Sequence, residues 1–138
     1  MAAHDLCLVA KAVVWEDTTV TLLGRVVVDA SHTLQAAVQS DFSTIAYVVW
    51  SDGAVVTAST SLTVSSVIYN SYQGVNGRTL GNSIWSVDDT GFNFKTKIAS
   101  TSFPTGSKTY VVEVTYTLAS GDVFHGGYEV VTRDLQSQ

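Results

Sequence analysis

The sequence predicts an all-β domain, an immunoglobulin-like antiparallel β-sandwich of seven to nine strands. Three observations carry that expectation. Val (22) and Thr (17) supply 39 of the 138 residues, and β-branched side chains, stiff at χ1, pack well on a pleated surface. Only 14% of the chain is charged while 46% is hydrophobic, too little charge for a disordered chain or a solvated helical bundle. Apolar runs recur about every ten residues with turn residues between them, the spacing of a sandwich or a barrel. Uneven strands and connections favour the sandwich. The length is that of one domain, residues 1–138, enough to bury about two-thirds of its unfolded surface without disulfide staples.

Residues 6–15 read as a first extended segment or, from their alanine content, a short helix. Residues 1–15 as a whole are either the first strand of the sandwich or an N-terminal arm that adds a strand to a neighbour's sheet edge. Residues 18–29 form a strand with Gly24 inside it, the mark of a bulge or of another backbone approaching closely. Residues 34–38 are a short strand or irregular. Residues 44–51 and 54–58 flank Asp52-Gly53, a hairpin signal because a primed turn needs positive φ. Residues 62–69 make the next strand, with Leu62, Val64, Ser66 and Ile68 on one face. Alternation then stops, and residues 70–81 read as a loop long enough to be functional or as a loose hairpin pivoting on Asn76-Gly77.

Periodicity resumes over residues 83–87 and 92–98. In the second of these an aromatic face alternates with Asn93, Lys95 and Lys97 pointing outward. Phe103-Pro104-Thr105-Gly106 holds the one proline and reads as a turn or a crossing between sheets. Tyr110, Val112, Val114, Tyr116 and Leu118 alternate with polar or small residues, Val111 excepted. Ser120-Gly121-Asp122 turns the chain, residues 123–132 return antiparallel, and residues 134–138 are a tail. No segment reads convincingly as a helix.

The remaining signals are mostly exclusions. Net charge is −5 and the seven basic residues are scattered, which argues against nucleic acid or an anionic membrane as partner. Cys7 is the one cysteine, so no intramolecular disulfide forms and a reducing cytosol is tolerated. The start has no basic n-region, Lys11 interrupts its apolar run, and no stretch approaches the ~20 apolar residues of a membrane helix. The expectation is a soluble protein made inside a cell.

Chemistry is equally sparse. His4, His32 and His125 are far apart in sequence, and no Gly-x-Ser-x-Gly elbow is present, so no nucleophile, base and orienting group are brought together by any motif. No catalytic residue and no enzyme activity are expected. Asp88-Asp89-Thr90-Gly91 is the tightest acidic cluster; without calcium-loop spacing it reads as a turn. The glycine-rich residues 74–81 lack the Gly-Lys-Ser/Thr of a phosphate cradle. No metal and no cofactor are expected. Most aromatics alternate inward, against a sugar-binding platform. His125 lies on the outer phase of the last strand, facing solvent or a subunit contact. Tyr72, beside Val75 and Arg78 on the glycine-rich loop, has the composition of a protein-interface anchor.

The order of several pieces is more specific than any one of them: residues 62–69, Trp85 through Asp88, Gly91 and Phe94, then Phe103-Pro104-Thr105-Gly106, residues 110–116 and residues 120–124. Across residues 40–133 the chain resembles a family of small proteins from the structural-gene regions of tailed phages and prophages. The resemblance implies an immunoglobulin-like β-sandwich in a virion, made in the host bacterial cytoplasm. Within a virion, folding without disulfides and a charge-poor surface suited to cover by neighbours make a non-enzymatic structural role, foremost a capsid decoration (cement) protein stabilising the head, the leading expectation. A tail or baseplate component, or a carbohydrate-binding or adhesion module, is the alternative. The implied partners are the major capsid protein or other virion proteins and further copies of the chain, as a homo-oligomer with a trimer favoured. No catalytic residue carries over. Residues 74–81 make a longer connection than is usual in the family.

Overall fold

A computed structural model describes residues 10–27, 37–73 and 91–135. Among these are eight strands: β1 (Ala10–Trp15), β2 (Val20–Gly24), β3 (Phe42–Ser51), β4 (Ala54–Leu62), β5 (Ile68–Gln73), β6 (Phe92–Ile98), β7 (Thr109–Leu118) and β8 (Val123–Arg133). They form a five-stranded sheet in the order β1-β8-β7-β3-β4 and a three-stranded sheet in the order β2-β6-β5. In immunoglobulin lettering these are A′-G-F-C-C′ and B-E-D. Every pair is antiparallel except β1 with β8, which run parallel from Ala10 beside Tyr128 to Trp15 beside Arg133.

Period-2 alternation places the core. Tyr110, Val112, Val114, Tyr116 and Leu118 of β7 are buried, as are Ile45, Tyr47 and Val49 of β3 and Tyr128 and Val130 of β8. They meet Val20 and Leu22 of β2 and Phe94 and Ile98 of β6. Phe94 meets Tyr116 across the sandwich edge-to-face, with centroids 5.5 Å apart. The Asp52-Gly53 hairpin forms as the sequence predicts, both residues at positive φ (54° and 77°), the geometry of a type I′ turn.

Three local expectations are corrected. The predicted strand over residues 62–69 is broken: β4 ends at Leu62, a four-residue helical turn, α1 (Val64–Val67), intervenes, and β5 starts at Ile68. The chain has to pass from one sheet to the other here, and α1 makes that crossing while burying Val67. The predicted loop at 70–81 is strand as far as Gln73, which pairs with Phe92. Asn93, expected to point outward, is fully buried, because residues 26 and 37 close over it. Its amide oxygen accepts from the Val26 N–H (2.7 Å), and its amide nitrogen donates to Val26 O (2.8 Å) and Ala37 O (3.0 Å). Ala37 N donates to Val26 O in turn, so one side chain clamps two separate backbone segments. Predicted elements at 1–9, 28–36 and 83–87, the Asp88-Asp89 turn and residues 136–138 lie outside the described residues.

Gly24 leaves room for a side chain rather than a backbone: a Cβ there would stand 2.5 Å from the Tyr128 hydroxyl. The Pro104 segment is the predicted inter-sheet crossing, running from β6 to β7. Tyr110, one residue into β7, sends its hydroxyl back to that segment, accepting from Thr105 N (3.0 Å) and donating to Thr105 O (3.2 Å). This is the tyrosine corner of Greek-key sandwiches. Two residues on, where antibody domains carry the second cysteine of their inter-sheet disulfide, stands Val112, fully buried.

Two outcomes follow. Asn93→Ala strips the Val26 N–H and the Ala37 carbonyl of their partner in a buried place, at about 1–3 kcal/mol for each unsatisfied group; urea unfolding should show a loss of about 3 kcal/mol or more. Tyr110→Phe keeps the ring packed on Phe103, with centroids 5.3 Å apart, and removes only the corner bonds. It should lower stability by about 1–2 kcal/mol with an unchanged denaturant slope.

Candidate functional site: the outer face of the five-stranded sheet

Strand phase also decides what the five-stranded sheet presents on its far side. Since Tyr110 and Val112 face the core, Val111 faces out; since Tyr47 and Val49 face in, Val48 and Trp50 face out. An antiparallel sheet with one wetted face normally puts polar residues there. This one does not. Val55 pairs with Trp50, and Trp50 with Val111. Val131, paired with Thr109, stands diagonally beside Val111, within reach of its side chain. Val131 pairs in turn with Val13, and Trp15 follows two residues along β1. The result is an apolar belt across all five strands, from Val55 on one edge to Trp15 on the other. Val13, Trp15, Val55 and Val111 are 51%, 49%, 51% and 42% exposed; Val48, Trp50 and Val131 are half-buried.

Among the described residues, few charges share this face. Lys11 and Glu129 pair across β1 and β8 at 3.9 Å, Glu113 lies opposite Val48 on β7, and Arg133 is beside Trp15. His125, exposed on the same face, shares a 3.0 Å hydrogen bond with the Thr115 hydroxyl through Nδ1. Lys108 and Asp52 form a 3.1 Å ion pair at the rim.

The belt rests on β1 being held against β8, and that is done at one pole of the sandwich. Glu16 donates its N–H to Arg133 O. Its carboxylate accepts from Leu135 N at 2.8 Å and Gly106 N at 3.1 Å. The Thr132 hydroxyl donates to Thr105 O at 2.6 Å, and Asp17 N donates to Phe103 O. Gly106 lies so close to Asp134 that a Cβ would be 2.6 Å from its Cα and 2.7 Å from its N.

The edge strand β4 is a second exposed element, nine residues without a charge or a proline. Its register with β3 shifts twice, between Tyr47 and Val49 and between Val49 and Trp50. Such bulges twist an edge away from straight pairing with another chain.

Of the sequence-predicted interface residues, Tyr72 lies in β5, half-buried, and not on a loop; Val75 and Arg78 lie outside the described residues. The belt itself went unread, although its signal was present: Val13-Val14-Trp15 and Tyr47-Val48-Val49-Trp50 are apolar on both phases, which is the pattern of a strand covered on both sides. Two open depressions elsewhere, about 780 and 450 Å³, are lined by α1 and its neighbours, among them Thr63, Asn70 and Lys95. Among the described residues no three His, Cys, Asp or Glu side chains cluster to hold a metal ion, and no helix is long and apolar enough to cross a membrane. Trp15 and Trp50 are three strands and four residues apart, about 20 Å, too far for neighbouring sugar rings to stack on both. Comparisons with protein-family models, curated proteins and solved structures return no match.

The phase assignment has a direct check. Val111→Thr should change the stability of the isolated chain by no more than about 0.5 kcal/mol. Val112→Thr, one residue along and facing inward, should cost about 1–3 kcal/mol for a hydroxyl in the core. Urea titrations at low protein concentration distinguish the two.

Proposed function

We propose that this protein is a non-enzymatic structural component of a tailed-phage virion, a capsid decoration protein that reinforces the head and has the major capsid protein as its partner. The observation that carries the reading is the apolar belt on a small sandwich, exposed among the described residues. Soluble monomers rarely expose so continuous an apolar surface, and one that does belongs to an assembly in which copies of the chain or neighbouring proteins cover it. The sequence resemblance over residues 40–133 supplies the kind of assembly.

The chemistry of the domain suits that role. Its one cysteine, Cys7, cannot form an intramolecular disulfide, so the fold relies on packing and on the Asn93 and Tyr110 hydrogen bonds. It can therefore form in a host cytoplasm and persist after release. Sparse surface charge suits a part whose neighbours replace solvent.

Quantitative mass spectrometry of purified virions tests the reading. Hundreds of copies per particle are expected of a head decoration protein. A few dozen copies would move the protein to the tail or baseplate, and absence from the particle would overturn the assignment.

A further inference from the structure

We infer that the outer face of the five-stranded sheet is the contact between two copies of this chain, packed face to face about a two-fold axis. The inference stands on the face alone and does not depend on the virion reading.

Size is the first argument. Five strands about 4.8 Å apart and about nine residues long, at about 3.3 Å per residue, give a face of roughly 700 Å². That approaches the ~800 Å² each partner contributes to a standard interface. Sheets pack face to face at about 10 Å with side chains interdigitating, and the belt offers Val and two Trp side chains for that purpose.

Charge is the second, and it fits a copy of this chain. The chain carries −5 overall, yet the strand positions of this face hold Lys11 and Arg133 against Glu113 and Glu129, two of each sign. A surface that meets a copy of itself must be balanced in this way, because a net charge would repel its own image. A strongly basic or acidic partner would instead call for a face of one sign. The balance also separates this contact from a cyclic trimer. A three-fold ring needs two different patches that fit each other, whereas one self-balanced face forms an isologous pair.

Val111, on the central strand β7 and in the middle of the belt, is the position to perturb. Val111→Lys places an ammonium beside Glu129, its cross-strand neighbour, an opposite-sign pair the single chain accommodates. In the dimer the same charge is buried in an apolar contact. Thr21→Glu, exposed on the three-stranded sheet opposite Lys97, is the matched control, since it also adds one charge beside a cross-strand partner of opposite sign. Sedimentation velocity of the full chain across a concentration series should show twice the chain mass for wild type and for Thr21→Glu. For Val111→Lys it should show a dissociation constant raised at least about tenfold. Circular dichroism and the urea denaturant slope should remain those of the folded wild-type domain. Should Val111→Lys misfold, Val111→Thr provides the same comparison with a smaller weakening. A wild-type chain that stays monomeric, a trimer, or a dimer indifferent to both Val111 variants would overturn the inference.

Discussion

The presented face depends on one arrangement at a pole of the sandwich, where the end of β1, the β6–β7 crossing and the end of β8 are tied by Glu16, Thr105, Tyr110 and Thr132. A six-residue parallel pairing is a weak attachment by itself, since parallel ladders are somewhat less stable per residue and short edges fray. Glu16 converts it into a fixed one, because its backbone reaches Arg133 while its carboxylate takes amides from Gly106 and Leu135. Without that junction Val13 and Trp15 would not stand in line with Val131 and Val111, and the belt would stop at β8.

The two sheets are treated differently on their outer sides. On the three-stranded sheet, Lys97 lies opposite Thr21 and Lys95 opposite Leu23, a largely polar surface suited to water. The five-stranded sheet carries valine and tryptophan in the equivalent positions. Both share one core, so the asymmetry is not a requirement of folding: the domain would be as well packed with Thr at positions 13, 55 and 111. Tyr110 and Asn93 show the opposite economy, each placing a polar group where its partners are backbone amides and carbonyls that would otherwise be unsatisfied.

The architecture was legible where a residue type has one structural use. Asp52-Gly53 allowed a primed turn and little else, and the Tyr110 to Leu118 alternation could sit only on a half-buried strand. Misreadings arose where tertiary context overrides local pattern. Asn93 looks like a solvent-facing strand residue until Val26 and Ala37 close over it, and nothing near it in sequence announces either. Residues 62–69 alternate well enough for a strand, but the chain must change sheets there and spends Val64–Val67 on a helical turn. A glycine-rich stretch singles out Tyr72, whereas the apolar doublets of β1 and β3 look, in sequence, like any extended segment. A strand apolar on both phases carries information about its second face, and Val111 was the residue at which that information first broke the pattern.

The parallel pairing of β1 with β8 also determines how the domain bears load. Tension that draws residue 10 and residue 133 apart acts along the strand axes in opposite directions, because Ala10 begins the ladder at one end and Arg133 closes it at the other. The ladder is then sheared, with its hydrogen bonds sharing the force together. In an antiparallel pair pulled from adjacent ends they would open one after another like a zipper. The stress passes next into the Glu16 junction, which braces the same end of the ladder. Strand direction thus sets how this ladder meets traction between residues 10 and 133, and the Glu16 junction braces one end of it.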